Sequence, residues 1–255
     1  MTLINNIFEY LCSIAPLELQ MSFDNSGFQI GRINNVLHRV LLALDVTDPV
    51  VDEAEELGAE LIITHHPLIF SGIKSIDGRD PAGERLLRLA EKGIAVISMH
   101  TNLDIAEDGV NDVLIRLLGA EPVAALDKEN CGRVGCLKEA LALDDFLKLS
   151  KKTLNANGLR YYDAGKPVSK LAVMGGAGGE NLEDAYALGC DTYLTSDIKY
   201  HQFLRAQELG INLIDADHFC TENPIIPALR EKLSRDFNDV EFLVSKVHKQ
   251  IICFM

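Results

Sequence analysis

No apolar run in this 255-residue chain approaches the roughly 18 residues that cross a bilayer, because Asp, Glu, Lys or Arg interrupts every strand-like stretch. A membrane-spanning helix is therefore excluded. Positive charge is scarce: 24 Lys and Arg stand against 38 Asp and Glu, a formal net charge of −14. An extended nucleic-acid backbone would meet repulsion rather than a basic track, which argues against direct nucleic-acid binding, whereas a small anionic substrate can still bind through local cations. Cys-x-x-Cys pairs are absent although six cysteines are present, and a chain this long needs no disulfides to fold, so free thiols in a reducing cytosol are expected. Of these, Cys220 alone falls beside the candidate site described below. There is no basic leader or small-residue cleavage pattern in Met1–Pro16, where Ile4, Ile7, Phe8, Leu11, Ile14 and Ala15 recur at helical spacing. That segment reads as a packed helix, and the expected location is cytoplasmic. No low-complexity linker divides the chain.

What is present is an ordinary globular composition, 47% hydrophobic and 24% charged, long enough for one large domain or two packed halves. Arg39 to Asp45 reads as a buried strand, and Val46-Thr47-Asp48-Pro49 supplies the cap and first-turn proline of a helix Val50 to Leu57 that stops at Gly58. The unit repeats at once: strand Glu60 to Thr64, loop Pro67 to Arg79, helix Pro81 to Lys92, stop at Gly93, strand Ile94 to Met99. Glu121 to Lys166 is less regular, with a strand at Arg133 to Leu137, a helix near Asp144 to Leu154 and a strand at Leu159 to Tyr162. A subdomain change is expected there, giving approximate halves 1–125 and 126–255. After Pro167 the alternation resumes with strands Lys170 to Met174, Thr192 to Thr195, Asn212 to Ala216 and Val240 to Ser245, separated by helices Leu182 to Leu188, Tyr200 to Leu209 and Pro224 to Ser234. Such alternation predicts α/β layers on parallel sheet, with strand ends sharing one edge.

The chemistry-bearing residues fall on those strand ends, where ligands bind in open α/β sheets. His65 and His66 follow the apolar strand ELIIT directly and precede Pro67; neighbours at a strand end should point to opposite sides, which suits two adjacent ions. A pair of surface or hydrogen-bonded histidines is the competing reading of the doublet alone. The next strand ends in His100-Thr101-Asn102-Leu103-Asp104, and Asp104 could equally cap a helix within Ala106 to Leu118. A third cluster, Asp217 to Pro224, places His218 and Glu222 in the turn after the strand that ends near Ile214, with Asn223 and Pro224 opening the following helix. Three imidazoles and two carboxylates thus converge on one kind of edge. That donor set suits zinc, iron, manganese or nickel rather than calcium or magnesium. It is more than one tetrahedral ion needs, and a pair of cations about 3.5 to 4 Å apart favours metal-assisted hydrolysis.

Phe23-Asp24-Asn25-Ser26-Gly27-Phe28-Gln29-Ile30-Gly31, Thr64 to Phe70, His100 to Asp104 and His218 to Glu222, with Thr195 to His201 as a further match, run in order over nearly the whole chain. They resemble the type 2 GTP cyclohydrolase I family, also described as Nif3-like or dinuclear-metal-centre proteins. The resemblance implies a Nif3-like α/β fold of two layered halves around a central metal site, and metal ligands His65, His66, Asp104, His218 and Glu222 holding two divalent cations. It further implies a ring-like homohexamer, and GTP or another nucleotide-like small molecule as substrate. The chain departs from the family pattern at Phe23, where Trp is usual, and at Ser196, where Gly is usual; neither touches an implied ligand. The length leaves no room for the large inserted domain that some members carry.

Other residues are ambivalent. Gly175-Gly176-Ala177-Gly178-Gly179 could cradle a phosphate or form a tight strand-to-helix connection. Asp197 and His201 could be contacts behind the ligands or to substrate, or a helix cap and an exposed or packed imidazole. His100 is the candidate proton shuttle, while His38 and His248 have no companions and read as surface residues. Two functions follow: a dinuclear metal hydrolase, or a non-catalytic metal-binding regulator or metal chaperone.

Overall fold

A computed structural model describes residues 1–255, and the chain forms two compact units. Met1–Ala106 with Ile226–Lys249 makes the first; Glu107–Ile225 with Gln250–Met255 makes the second. The expected division near residue 125 cuts the chain once, whereas the units change over at Ala106/Glu107 and the chain later returns to the first.

In the first unit, α1 (Ile4–Ile14) buries Ile4, Ile7 and Leu11 along one face, as its spacing predicts. It is followed by β1 (Gly27–Ile30), β2 (Arg39–Ala43), α2 (Asp48–Leu57), β3 (Leu61–Thr64), α3 (Pro81–Lys92), β4 (Ala95–Ser98) and the short α4 (Thr101–Ile105). Local signals set the helix ends. The Thr47 hydroxyl accepts from Val50 N–H at the start of α2, and Asp80 accepts from Gly83 N–H at the start of α3. Gly58 and Gly93 close the two helices in the left-handed conformation at φ 65° and 70°. β2, β3 and β4 run parallel with Ala43, Thr64 and Ser98 in register, so three buried strands end on one line. Leu41, Ile62 and Val96 carry the core between that sheet and α2. β1 adds to β4 antiparallel. The sequence pattern misses it because it is four residues long and enters and leaves through glycines at positive φ.

The second unit contains α5 (Val110–Leu117), β5 (Ala120–Ala125), β6 (Arg133–Leu141), α6 (Leu143–Thr153), β7 (Arg160–Tyr162), β8 (Val168–Val173), α7 (Leu182–Ala187), β9 (Thr192–Thr195), α8 (Tyr200–Leu209), β10 (Asn212–Asp215) and α9 (His218–Glu222). The sheet order is β5-β6-β8-β9-β10-β7. β8, β9 and β10 are parallel, but β5, β6 and β7 enter antiparallel, so this sheet is mixed rather than wholly parallel. Phe146, Leu171, Leu194 and Ile214 lie in its core. β5 goes unpredicted because Pro122 interrupts it, which an edge strand tolerates through the irregularity between Pro122 and Ala124.

The chain then returns through α10 (Ile225–Asp236) to β11 (Glu241–Val244), which pairs parallel with β2 and completes the first sheet in the order β1-β4-β3-β2-β11. Two expectations are corrected. Asp104, weighed as the cap of a helix within Ala106 to Leu118, lies instead inside the separate short helix α4, while α5 falls within the expected span. His218 and Glu222, expected in a turn, lie on the helical turn α9, because the Asp217 side chain accepts from Cys220 N–H and caps it. No helix is long and apolar enough to cross a membrane.

Gly31 sits at φ 113°, and a Cβ there would come within 2.6 Å of Ala95 Cβ and 2.7 Å of Ala95 Cα. Gly31→Ala is expected to destabilise the first unit by about 2–4 kcal/mol, through overpacking and backbone strain together. Urea unfolding checks this, and an unchanged midpoint contradicts the close approach.

Candidate metal centre

In the first unit the parallel register delivers the chemistry. β3 stops at Thr64, whose hydroxyl meets Ser98 Oγ at 2.8 Å and donates to His66 O at 2.8 Å, so the chain turns at once into His65 and His66. β4 stops beside it and continues into His100. The three rings gather with centroids 5.1 Å (His65–His66), 5.1 Å (His65–His100) and 5.6 Å (His66–His100) apart. One ring nitrogen of each lies within 4.8 Å of the others, close enough to hold a metal ion. The doublet therefore does not point to opposite sides. Both residues lie beyond the last strand residue, where the pleat no longer alternates side chains.

Each ring is held by its Nδ1. His65, fully buried, meets Met99 O at 2.8 Å; His66 meets Asp45 Oδ1 at 2.6 Å; His100 meets Asp24 Oδ1 at 2.7 Å. A carbonyl or carboxylate oxygen can only accept, so each Nδ1 carries a proton, which makes Nε2 the nitrogen that could ligate a cation. His65 Nε2 stands 3.6 Å from Asp104 Oδ1. That is too long for a hydrogen bond, and it is the separation expected of two ligands each about 2.1 Å from one cation. The donor set thus fits a transition-metal ion.

The acceptors are themselves fixed. Burial alone would raise the Asp45 carboxyl, but hydrogen bonds from His248 and His66 outweigh it and hold the group well below the usual carboxylate range. Asp24 behaves likewise, held down by His100 and Thr101 against its burial. His248, read from sequence as a surface residue, has a side chain only 10% exposed. Leu44 N–H donates to its Nδ1 at 3.3 Å, so the proton sits on Nε2, which donates to Asp45 Oδ2 at 3.1 Å. A chain Leu44–His248–Asp45–His66 results. Sequence reasoning gave neither Asp45 nor His248 a part in the site; the place of Asp45 at the end of the strand read over Arg39 to Asp45 was the available signal.

In the second unit β9 and β10 end in register at Thr195 and Asp215, and the next residues bring Asp197 and His218 together at the same sheet edge. His218 Nδ1 meets Asp197 Oδ2 at 2.7 Å, and its Nε2 lies 3.1 Å from Glu222 Oε2, one helical turn on. Asp197 thus stands behind a candidate ligand, while His201 is exposed at the start of α8. Burial would lower the His218 pKa, but the hydrogen bonds and charges of Glu222 and Asp197 prevail and raise it from 6.5 to about 9. Cys220, between the two, is buried and its thiol is pushed up to about 12 by that burial, which leaves it a poor ligand at neutral pH.

The glycine run is a tight connection. Gly175 N–H donates to Asn111 Oδ1 at 2.9 Å, Gly176 N–H to Thr221 Oγ1 at 3.0 Å and Gly178 N–H to Thr195 Oγ1 at 2.9 Å, which commits these amides to side chains. A Cβ on Gly176 would collide with Glu222 Oε1 and come within 3.2 Å of His218 Nε2. Glycine is needed there so that the carboxylate can approach the backbone.

The chain is an α/β protein of two units whose parallel strands lead into imidazole and carboxylate groups that could hold metal ions. A sequence profile of Duf34/NIF3 (NGG1p interacting factor 3) matches residues 2–251, and the chain belongs to that family. It is 36% identical over 254 residues to a GTP cyclohydrolase 1 type 2 homolog of Clostridium perfringens, covering 96% of this chain and 97% of that protein. It is 41% identical over 218 residues to a homolog of the same name from Nostoc sp., covering 81% and 82%. The crystal structure of a Bacillus cereus protein related to NIF3 superposes with a TM-score of 0.89 at 26% identity, over 100% of this chain and 99% of that one.

Two outcomes test the site. His248→Ala is expected to weaken zinc binding by roughly 10- to 100-fold, the usual cost of removing a group behind a ligand, and His248→Gln to recover part of it. Chelator-competition titration reads this, and equal affinities would dismiss the chain through Asp45. Because the His218 pKa is raised, its charged pair with Glu222 adds fold stability that is complete below about 6.5 and lost as pH rises through about 9. A cation must displace that proton, so zinc added at pH 7 should release about one proton per His218, and affinity should fall as pH falls. Calorimetry in buffers of different ionisation heat measures the release; none at all contradicts the charged His218.

Proposed function

We propose that the chain is a dinuclear metal-dependent hydrolase acting on GTP or another nucleotide-like small molecule, with His65, His66, Asp104, His218 and Glu222 as metal ligands. The observation that carries this reading is that His65, His66, His100 and His218 all have Nδ1 against an oxygen acceptor, which leaves Nε2 as the donor atom. It is supported by the neighbouring carboxylates, 3.6 Å from His65 in one unit and 3.1 Å from His218 in the other. The names of the curated relatives supply the nucleotide. Zinc, iron, manganese or nickel suits the donors. A bound pair of such cations supplies Lewis-acid polarisation of the substrate and activation of water near neutral pH.

The protein's own groups do the rest. Met99 O, Asp45 and Asp197 orient the ligand rings, and Asp24 orients His100. His100, half-buried, is the proton shuttle: Nδ1–H is tied to Asp24, and Nε2 is free to take a proton from water and pass it to the leaving group. By family resemblance the chain works as a homohexamer in the cytoplasm.

Asp104→Ala should lose metal and activity together. His100→Gln should keep its metal and lose about 10²- to 10⁴-fold in turnover, the range of general acid–base catalysis. Metal content by mass spectrometry and turnover of GTP and a nucleotide panel separate the cases. Loss of metal in His100→Gln would make His100 a ligand, and metal binding without turnover of any substrate would leave the regulator or metal chaperone.

A further inference from the structure

Two aromatic rings stand exposed beside the imidazole cluster of the first unit. Phe23 is 62% and Phe70 51% exposed, their centroids are 6.4 Å apart, and the ring planes are tilted by 55°. Phe70 also presents an edge contact to His100, centroid to centroid 6.1 Å. The separation is within the range of ordinary aromatic contacts, yet each ring keeps half or more of its surface open to solvent. They are not loosely held. Asn25 Nδ2 donates to Ile69 O at 2.6 Å and Ile69 N–H donates to Gln29 Oε1 at 3.1 Å, so side chains of the Phe23 segment engage both backbone groups of the residue before Phe70. Asp24, the residue after Phe23, is tied to the His100 ring and to both Thr101 N–H and Thr101 Oγ1–H. Each ring therefore springs from the neighbour of a fixed hydrogen-bonded residue.

The geometry points to a clamp for one planar aromatic or heteroaromatic ring, held between Phe23 and Phe70 with its edge toward His100. It rests on the reading of the site as one for a nucleotide-like molecule, and it names the part of that molecule that is gripped: the base, not the phosphate. A ring sandwiched between two others needs two van der Waals contacts of about 3.5 Å, or about 7 Å between the outer centroids. The two phenyl groups have to open by less than an ångström and turn parallel. Exposed side chains do this by rotation about χ angles in picoseconds to nanoseconds, with no backbone movement. The faces are apolar and offer no hydrogen bonds to a base edge, so the clamp recognises shape and tolerates different bases. The Asp24 carboxylate itself is covered and directed at His100 and Thr101.

The chain has no tryptophan, so Phe23→Trp introduces a single indole reporter at the clamp. Guanosine, adenosine and nicotinamide are titrated into the metal-loaded protein and indole fluorescence is followed; ribose 5-phosphate is the control without a ring. Quenching by at least one ring compound, with none by ribose 5-phosphate, is expected. In the Phe23→Trp protein carrying Phe70→Ala as well, affinity should drop by about 5- to 100-fold, the range of base–aromatic stacking, with metal content unchanged. Equal affinity in the two proteins, or silence to every ring compound, overturns the clamp. Equilibrium dialysis of labelled GTP against the unsubstituted protein runs in parallel. GTP bound with the indole silent defeats the clamp and leaves the nucleotide reading standing; nicotinamide quenching without GTP binding does the reverse. If Phe23→Ala/Phe70→Ala instead changes the sedimenting mass while ring compounds stay silent, the rings cover a second copy of the chain and the clamp is wrong.

Discussion

A neutral imidazole has one lone pair to give, and the nitrogen that holds it decides whether a histidine can take a cation. In this chain that choice is made by oxygen atoms behind the rings. Met99 O, Asp45, Asp24 and Asp197 occupy the Nδ1 side of His65, His66, His100 and His218, and every Nε2 is turned the other way. The acceptors must themselves be locked for this to hold. Asp24 is locked by Thr101, and Asp45 by His248 in addition to His66. The candidate ligands are thus the visible end of a deeper hydrogen-bonded set.

Parallel strands explain why those residues meet. In each unit neighbouring parallel strands stop in register, β3 with β4 at Thr64 and Ser98, β9 with β10 at Thr195 and Asp215. The backbone groups of the strands are used up in the ladder, so the first residues beyond are the ones released to turn and converge. Short helices then take over: α4 places Asp104 one turn after His100, and α9 places Glu222 one turn after His218. Gly176 completes the second arrangement by leaving space where a methyl group would meet the Glu222 carboxylate.

Legibility followed the range of the interactions involved. α3, β9 and α8 have the bounds their residues predict, because Asp80, Pro81, Gly93 and Gly210 are local stop and start signals that act through their own backbone conformation. α4 and α9 are five residues long, too short for a 3.6-residue period to register, and both went unread as helices. β1 and β5 sit at sheet edges, where one face and one ladder suffice and the hydrophobic signal is weak. The antiparallel entry of β5, β6 and β7 was hidden for a related reason, since strand direction depends on connections and not on composition. His65, His66 and His100 were legible because they follow within two residues of an apolar strand, whereas Asp104 and Glu222 are set one helical turn further on by α4 and α9.

By itself, then, the sequence determined the α/β alternation, the unusual donors at strand ends and the family, because apolar periodicity, caps and motifs are properties of neighbouring residues. Tertiary structure alone decided that His248, 204 positions from Leu44, accepts from that residue's amide and donates to Asp45. It alone decided that Phe23 and Phe70 stand as a tilted pair, with Phe70 in edge contact with His100. A hydrogen bond or a ring contact depends on distances of a few ångströms, and only the folded path of the chain determines those between residues far apart in sequence.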